Sequence, residues 1–342
     1  MKKFLSSMLT AILVLSMSTV AFAAENSDNV TGSEEKTFEF TKSYVTSDGE
    51  TPAVYPAETL KFTVTVPDDS TNPAGTMIKI EDQTVDGNPD EIIITIPSYT
   101  VVGKYNYIVE EVKGNTQGVK YSDVEFGVQV VASYNDNHTA IETQVVFTTS
   151  DGTEEGKIDE IKNIYDLGTL EISKDVTGNL GSITKEFNVD VTFTVEEGMV
   201  LKSDITYVDD GEEKIILASA LDDGEETVVI TVKDNETVVF SNIPYGVTYT
   251  VKEQDYTTGD VNSENGYDAP KYSVNGGESA EASDGVSESA DTNKDTVAIT
   301  NNKGTAVDTG ITLDSAPYML MLVIAAAGIM FFMAKRRRYT EE

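Results

Sequence analysis

Two lysines lie in strand-like segments at positions where an apolar residue is expected. In the sequence LEISKDV, Lys174 alternates in phase with Leu170 and Ile172. Lys42 alternates in the same way with Phe40 in the sequence FEFTK. Because strand side chains point alternately to opposite faces, both amines are predicted to point into a core, where an unpaired ammonium group is costly.

Each lysine is followed later in the chain by an acid and an amide that share its core phase. In the first half these residues are Glu111, in the sequence YNYIVEE, and Asn163, in EIKN. In the second half they are Glu253, in VTYTVKE, and Asn301, in TVAITN. The neighbouring Glu110 is a second candidate acid, and only the strand phase favours Glu111 over it.

Burial changes the chemistry that these side chains can carry out. It lowers the pKa of a lysine and raises that of a glutamic acid, so both groups can become neutral. A neutral amine is a nucleophile, and a protonated glutamic acid can polarise an asparagine carbonyl and transfer protons. The predicted product is an amide crosslink with loss of ammonia, formed once by proximity in the folded core. The predicted pairs are Lys42 with Asn163, promoted by Glu111, and Lys174 with Asn301, promoted by Glu253.

A less reactive interpretation applies to any single lysine of this kind. It could form a buried ion pair with the acid, or extend its amine to solvent at the edge of a sandwich. Two Lys–Glu–Asn sets in the same order, in a chain without cysteine, favour the crosslink.

The two ends of the chain predict export and membrane retention. Residues 1–23 have two lysines, an apolar run and the small residues Ala21 and Ala23, as a secretory signal peptide does. Residues 317–334 are apolar and long enough for a membrane helix, and the basic tail 335–342 is expected to stay in the cytoplasm. We therefore expect a precursor held in the membrane, with the rest of the chain outside the cell.

The composition excludes several classes of function. The chain has 59 acidic and 24 basic residues and a net charge of -35, which argues against nucleic-acid binding. The absence of cysteine removes thiol nucleophiles and zinc–thiolate sites. The single histidine, His138, lies in a turn-like segment, and hydrolase motifs are absent. We expect no cofactor, no metal site and no enzymatic activity beyond the internal crosslinking.

Short alternating segments separated by Gly, Asn, Asp and Pro predict an all-β protein with two tandem Ig-like β-sandwich domains, stacked end to end. The polar stretch 276–294 is predicted to be a solvated loop of the second domain. The predicted boundaries are a disordered segment 24–35, a first domain 36–165, a second domain 166–303 and a linker 304–316.

The chain resembles Gram-positive backbone pilins of the streptococcal T-antigen type. The resemblance covers residues 36–310 and is carried by the lysine strands, the Y-x-Y-x-V-x-E strand, the KN pair, the segment NIPYGVTYTVKEQDY and the terminal ITNNK. These pilins are built from pilin isopeptide-linkage domains of the Ig-like, Cna-B type. The resemblance therefore implies one internal isopeptide bond in each domain.

The sequence AVDTGI, residues 306–311, resembles a sortase sorting signal. In such signals the transpeptidase cleaves between the residues that correspond to Thr309 and Gly310, and transfers the threonine carboxyl group to an amine. The sequence departs from the common LPxTG form and is more similar to the V-P-T-G variants of T-antigen-like pilins, in which proline is usual at the position of Asp308. This departure leaves the identity of the sortase open.

The resemblance also suggests which amine accepts the threonine. In T-antigen-like pilins this lysine lies shortly before the crosslinking asparagine of the first domain, which here indicates Lys157, with Lys162 as the alternative. Another pilin class carries it in a Y-P-K motif, but this chain has Ala57 at that position, so Lys61 is a further alternative.

The sequence therefore predicts a pilus shaft subunit on the surface of a Gram-positive bacterium. Its expected partners are a sortase, other copies of itself, peptidoglycan and a tip or minor pilin. The alternative is a wall-anchored adhesin or minor pilin that binds a host ligand without forming a shaft.

Overall fold

The computed structural model describes residues 30–68, 70–149, 160–222 and 224–304. Within these ranges the chain forms 20 β-strands and a single short 3-10 helix. The strands enclose two hydrophobic cores, one in each half of the chain. The predicted all-β fold with two tandem Ig-like sandwiches is confirmed.

The first sandwich packs a four-stranded sheet of order β4-β1-β9-β6 against a five-stranded sheet of order β3-β2-β5-β7-β8. Its strands are β1 (Lys36–Val45), β2 (Glu58–Thr65), β3 (Gln83–Val85), β4 (Asp90–Ile96), β5 (Gly103–Val112), β6 (Val119–Lys120), β7 (Phe126–Tyr134), β8 (Ile141–Thr149) and β9 (Glu160–Tyr165).

The second sandwich packs a seven-stranded sheet of order β13-β12-β15-β10-β20-β17-β18 against a four-stranded sheet of order β14-β11-β16-β19. A 3-10 helix, Ala218–Leu221, precedes β14. The strands are β10 (Leu167–Thr177), β11 (Phe187–Thr194), β12 (Ile205–Asp209), β13 (Glu212–Ile216), β14 (Glu225–Val232), β15 (Thr237–Pro244), β16 (Thr248–Glu253), β17 (Lys271–Val274), β18 (Ala280–Glu281), β19 (Val286–Ser289) and β20 (Asp295–Asn302).

Alternation of apolar and polar residues determines which face of each strand is buried. In β11, Phe187, Val189, Val191 and Phe193 are fully buried, and the residues between them are partly exposed. A strand with one apolar face is stable only when that face is covered by a second sheet. This pattern places every second residue of the central strands in a core, including the polar ones.

The first and last strands of each sandwich are neighbours and run parallel. β1 pairs with β9 in the first domain, and β10 pairs with β20 in the second. The other strand pairs are antiparallel. Each parallel pair therefore joins two segments that are separated by nearly the whole domain in sequence.

The beginning of the described chain is more ordered than the sequence indicated. Residues 30–35 belong to the segment 24–35 that was expected to be disordered, yet they are bound to the first sandwich. The Ser33 backbone N–H donates to the Tyr99 carbonyl at 2.9 Å, and the Ser33 side chain is buried. Backbone hydrogen bonds of this kind cannot be predicted from amino-acid composition, because every residue except proline can donate them.

The polar stretch 276–294 is also partly strand, which corrects the prediction of a solvated loop. β19 lies in this stretch and pairs with β16 as an edge strand. Its residues are exposed or partly exposed, because only one side of the strand has a neighbour. The polar composition therefore belongs to an exposed edge strand together with the loops around it.

No helix within the described residues is long and apolar enough to cross a membrane. The predicted signal peptide 1–23 and the predicted membrane helix 317–334 both lie outside the described residues.

Candidate crosslinking sites

The first domain brings together the three residues of the first predicted set. Lys42 lies on β1 and Asn163 on the adjacent parallel strand β9, while Glu111 lies on β5 in the facing sheet. Lys42 is paired with Ile161, so Asn163 is two residues further along on the same face. The parallel pairing therefore aligns the amine and the amide side by side, and the facing sheet supplies the acid.

The Glu111 carboxylate bridges the lysine and the asparagine of this site. Lys42 Nζ donates to Glu111 Oε2 at 2.9 Å, and Asn163 Nδ2 donates to Glu111 Oε1 at 2.9 Å. Lys42 and Asn163 are completely buried, and Glu111 is 2% exposed. Burial lowers the pKa of Lys42 to about 8, and the adjacent carboxylate only partly opposes this effect. An appreciable fraction of this amine is therefore neutral near pH 7.

The second domain repeats this arrangement in the same register. Lys174 on β10 is paired with Ile299 of β20, so Asn301 again lies two residues further along on the neighbouring parallel strand. Glu253 reaches the site from β16 in the facing sheet. Lys174 Nζ lies 3.2 Å from Glu253 Oε1, and Asn301 Nδ2 donates to Glu253 Oε2 at 2.7 Å.

Burial shifts the pKa values of the lysine and the acid of the second site in opposite directions. Desolvation lowers the pKa of Lys174 and raises that of Glu253, and the attraction between the two groups opposes both changes. The Lys174 amine also lies 4.4 Å from the centre of the Phe187 ring. These shifts favour the neutral amine and the protonated acid that the crosslinking chemistry requires.

The second site contains a buried ion pair beside an amide oxygen that has no hydrogen-bond partner among the described residues. Asn301 Oδ1 is buried and has no hydrogen-bond partner among the described residues, whereas Lys174 Nζ and Glu253 Oε1 lie 3.2 Å apart as an ion pair without hydrogen-bond geometry. A buried ion pair offsets its desolvation cost only when its remaining donors and acceptors are bonded. The unpaired amide oxygen therefore leaves part of that cost uncompensated in the second site.

The orientation of the asparagine differs from the expectation that the acid would polarise its carbonyl. In both sites the glutamate contacts the amide nitrogen, so that one carboxylate bridges the attacking amine and the group that would leave as ammonia. This geometry suits a proton relay from the amine to the leaving nitrogen.

The remaining candidate residues are the alternative acid, the possible acceptor lysines and the predicted cleavage pair, and those that the structure describes lie outside the two cores. Glu110 is exposed, unlike the adjacent Glu111. Lys162 and Lys61 are exposed surface residues, whose amines lie 3.0 Å from Glu160 and 3.1 Å from Asp82, respectively. The predicted acceptor Lys157 and the predicted cleavage pair Thr309 and Gly310 lie outside the described residues.

Sequence reasoning missed a second buried acid beside the first site. Glu58 accepts hydrogen bonds from the hydroxyl groups of Tyr44, Tyr121 and Thr116 at 2.5 to 2.7 Å. Glu58 alternates in phase with the buried Leu60, so the strand pattern contained the signal. Within the described ranges, no cluster of acidic or histidine side chains could hold a metal ion.

Together these features define a class of protein: two tandem β-sandwiches, each with a lysine, a glutamate and an asparagine in contact within its core. A family model described as a domain of unknown function (DUF7601) matches residues 168–303, which form the second sandwich. A curated relative named Pilin, from Streptococcus pyogenes serotype M1, is 29% identical over 252 residues, which are 68% of this chain and 68% of the relative.

Solved structures of streptococcal pilins share the fold. The major pilin from Streptococcus pyogenes matches with a TM-score of 0.54 and 21% identity, over 79% of this chain and 99% of that chain. The T-13 major pilin from serotype GAS131465 of the same species matches with a TM-score of 0.53 and 18% identity, over 80% of this chain and 99% of that one. The resemblance to streptococcal backbone pilins that the motifs indicate is confirmed.

Proposed function

We propose that this chain is a shaft subunit of a Gram-positive pilus, in which a sortase joins successive copies covalently and an internal Lys–Asn isopeptide bond stabilises each domain. The observation that carries the proposal is the recurrence of the Lys–Glu–Asn site at the same register in both sandwiches. A protein that bears tension along its length gains most when the first and last strands of each domain are joined covalently. Similarity to proteins named as pilins supports the same function.

The internal reaction needs no external reagent. The neutral lysine amine attacks the asparagine Cγ, a new C–N bond forms, and the bond from Cγ to Nδ2 breaks. The glutamate accepts a proton from the attacking nitrogen and delivers a proton to the leaving nitrogen, which departs as ammonia. One ammonia molecule is lost for each bond, and no oxidant or cofactor takes part.

The reaction between subunits would proceed at the cell surface. A sortase would cleave between Thr309 and Gly310 and transfer the Thr309 carboxyl group to Lys157 of another copy, or to peptidoglycan at the base of the fibre. Joining the end of one subunit to a lysine of the next is a heterologous contact, which gives an open fibre rather than a closed ring. A tip or minor pilin would complete the fibre.

An immunoblot of cell-wall extracts under denaturing conditions tests the shaft function. We expect a ladder of multimers from cells that express the parent chain, and only monomer from cells that express Lys157→Ala. Lys162→Ala is the matched control and should keep the ladder.

A single band from the parent would contradict the shaft function and favour a wall-anchored adhesin or minor pilin that binds a host ligand. A ladder that persists in Lys157→Ala and disappears in Lys162→Ala would assign the joint to Lys162, and loss only in Lys61→Ala would assign it to Lys61.

A further inference from the structure

The carbonyl oxygens of the two reactive asparagines have different environments. Asn163 Oδ1 accepts a hydrogen bond from the backbone N–H of Ser122 at 2.9 Å. Asn301 Oδ1 is buried and has no hydrogen-bond partner among the described residues. The two sites therefore share the residue types and the contact of the amide nitrogen with the acid, and they differ at the oxygen atom on which charge would develop.

The Ser122 contact fixes the orientation of the Asn163 amide. A backbone N–H can only donate, so the atom that faces it must be the amide oxygen. The amide nitrogen then faces Glu111, to which it donates at 2.9 Å. The carbonyl is thus held between a donor at its oxygen and an acceptor at its nitrogen before any reaction takes place.

We propose that the backbone N–H of Ser122 is an oxyanion donor for crosslinking in the first domain, an inference that rests on the proposed function. When Lys42 Nζ bonds to Asn163 Cγ, the carbonyl electrons move onto Oδ1, which becomes an oxyanion. The Ser122 N–H stabilises this charge until the bond from Cγ to Nδ2 breaks and ammonia leaves. Donors placed in advance at a developing oxyanion stabilise the transition state more than the ground state.

The segment that carries Ser122 is held in place by the buried acid beside the site. The preceding residue, Tyr121, is buried and donates its hydroxyl hydrogen to Glu58 Oε2 at 2.5 Å. The same hydroxyl accepts from the Thr116 backbone N–H at 3.3 Å. On the other side, Ser122 Oγ accepts from the Val124 backbone N–H at 3.1 Å. Glu58, which takes no part in the crosslinking itself, thereby acquires a positioning role.

The first test compares the two domains of the unmodified chain. The full extracellular part is made by cell-free synthesis, samples are denatured at successive times, and the uncrosslinked and crosslinked peptides of each domain are quantified by mass spectrometry. We expect the Lys42–Asn163 bond to form faster than the Lys174–Asn301 bond. Equal rates, or a faster second domain, would overturn the inference and leave the proposed function intact. A folded chain in which neither bond forms would instead refute the proposed crosslinking.

The second test removes the donor. Ser122→Pro lacks the backbone N–H, and we expect first-domain crosslinking to slow by a factor of about 100, as when an oxyanion donor is lost from an enzyme. Ser122→Ala keeps the N–H and loses only the Oγ contact to Val124, so first-domain crosslinking should slow far less in this variant than in Ser122→Pro. The second domain of each variant is an internal control. An unchanged first-domain rate in folded Ser122→Pro would overturn the inference.

A third variant applies if Ser122→Pro does not fold. Tyr121→Phe removes the hydroxyl that anchors the segment to Glu58 and leaves the N–H in place. We expect first-domain crosslinking to slow by a factor of about 10, with the second domain unchanged. Equal first-domain rates in Tyr121→Phe and the parent would contradict the positioning role.

Discussion

At the residue scale, the central feature is a lysine that is buried with an acid and an amide in each core. A buried ammonium ion is costly, and an ion pair recovers that cost only with full hydrogen bonding. Formation of the crosslink would remove the cost of burying a charge, because the lysine amine would become a neutral amide nitrogen. The observed contacts of Glu111, one oxygen on the amine and the other on the amide nitrogen, are those that a proton relay requires.

Replacing the relay acid should stop one crosslink and spare the other. Glu111→Gln keeps the side-chain shape but cannot exchange protons, so we expect the first-domain bond to be lost and the second-domain bond to form normally. Glu110→Gln is the matched control, because Glu110 is adjacent but exposed. Peptide-resolved mass spectrometry measures both bonds in one sample. Normal first-domain crosslinking in Glu111→Gln would refute the relay.

The first-domain reaction should accelerate as pH rises. The pKa of Lys42 is lowered to about 8 by burial, so its neutral fraction increases from about one-tenth at pH 7 to about nine-tenths at pH 9. We expect the crosslinking rate of newly synthesised chain to increase by nearly a factor of 10 over this interval and then to level off. A rate that continues to increase about tenfold per pH unit up to pH 10 would contradict this prediction, because it would indicate that the Lys42 amine has its ordinary pKa.

At the element scale, the parallel pairing of first and last strands determines both the site and its effect on stability. The pair β10 and β20 brings Lys174 next to Asn301, and a bond between them closes a loop of more than one hundred residues. By analogy with a disulfide over such a loop, the crosslink should stabilise the domain by about 4 to 5 kcal/mol.

Removing the amine should therefore lower the melting temperature of the second domain. Lys174→Met retains most of the side-chain volume, and we expect its melting temperature to decrease by about 15 °C. Lys252→Met is the control, because Lys252 is an exposed lysine next to Glu253. Calorimetry in the presence and absence of a reducing agent measures the effect, which should not depend on the reductant. An unchanged melting temperature in Lys174→Met would show that the bond does not stabilise the domain.

Strand alternation predicted the all-β fold class and the burial of the lysine, glutamate and asparagine that meet in each core. Lys42 and Glu253 were recognisable because each replaces an apolar residue in a regular pattern, and a core enforces that pattern strictly. The Ser122 donor was not recognisable, because a backbone N–H has no side-chain signature. The same is true of residues 30–35, which are held by main-chain hydrogen bonds.

At the scale of the whole molecule, the two sandwiches are joined by a short connection and by direct hydrogen bonds. β9 ends at Tyr165 and β10 begins at Leu167. Beside this connection, Gln117 of the first domain contacts two residues of the second domain. Its backbone N–H donates to the Val200 carbonyl at 2.8 Å, and its side chain donates to the Tyr245 carbonyl at 3.1 Å. These contacts hold the two domains together beside the short connection.

Shortening the Gln117 side chain should loosen this junction. In Gln117→Ala we expect the loss of about 1 kcal/mol of coupling, which corresponds to amide exchange of Val200 that is faster by a factor of about 5 to 10. The Val200 N–H is a suitable reporter because it donates to the Asn115 carbonyl of the first domain at 2.8 Å. Gln254→Ala, at an exposed position in the second domain, is the control. Unchanged exchange at Val200 would show that the side chain does not hold the domains together.

The mass of the intact, folded extracellular part tests the central claim most directly. If each sandwich contains one Lys–Asn bond, the chain should be lighter than its sequence mass by two ammonia molecules. Lys42→Met and Lys174→Met should each restore one ammonia, and the double variant should have the full sequence mass. A folded parent chain with its full sequence mass would contradict the account, because the two lysines would then be buried without having reacted.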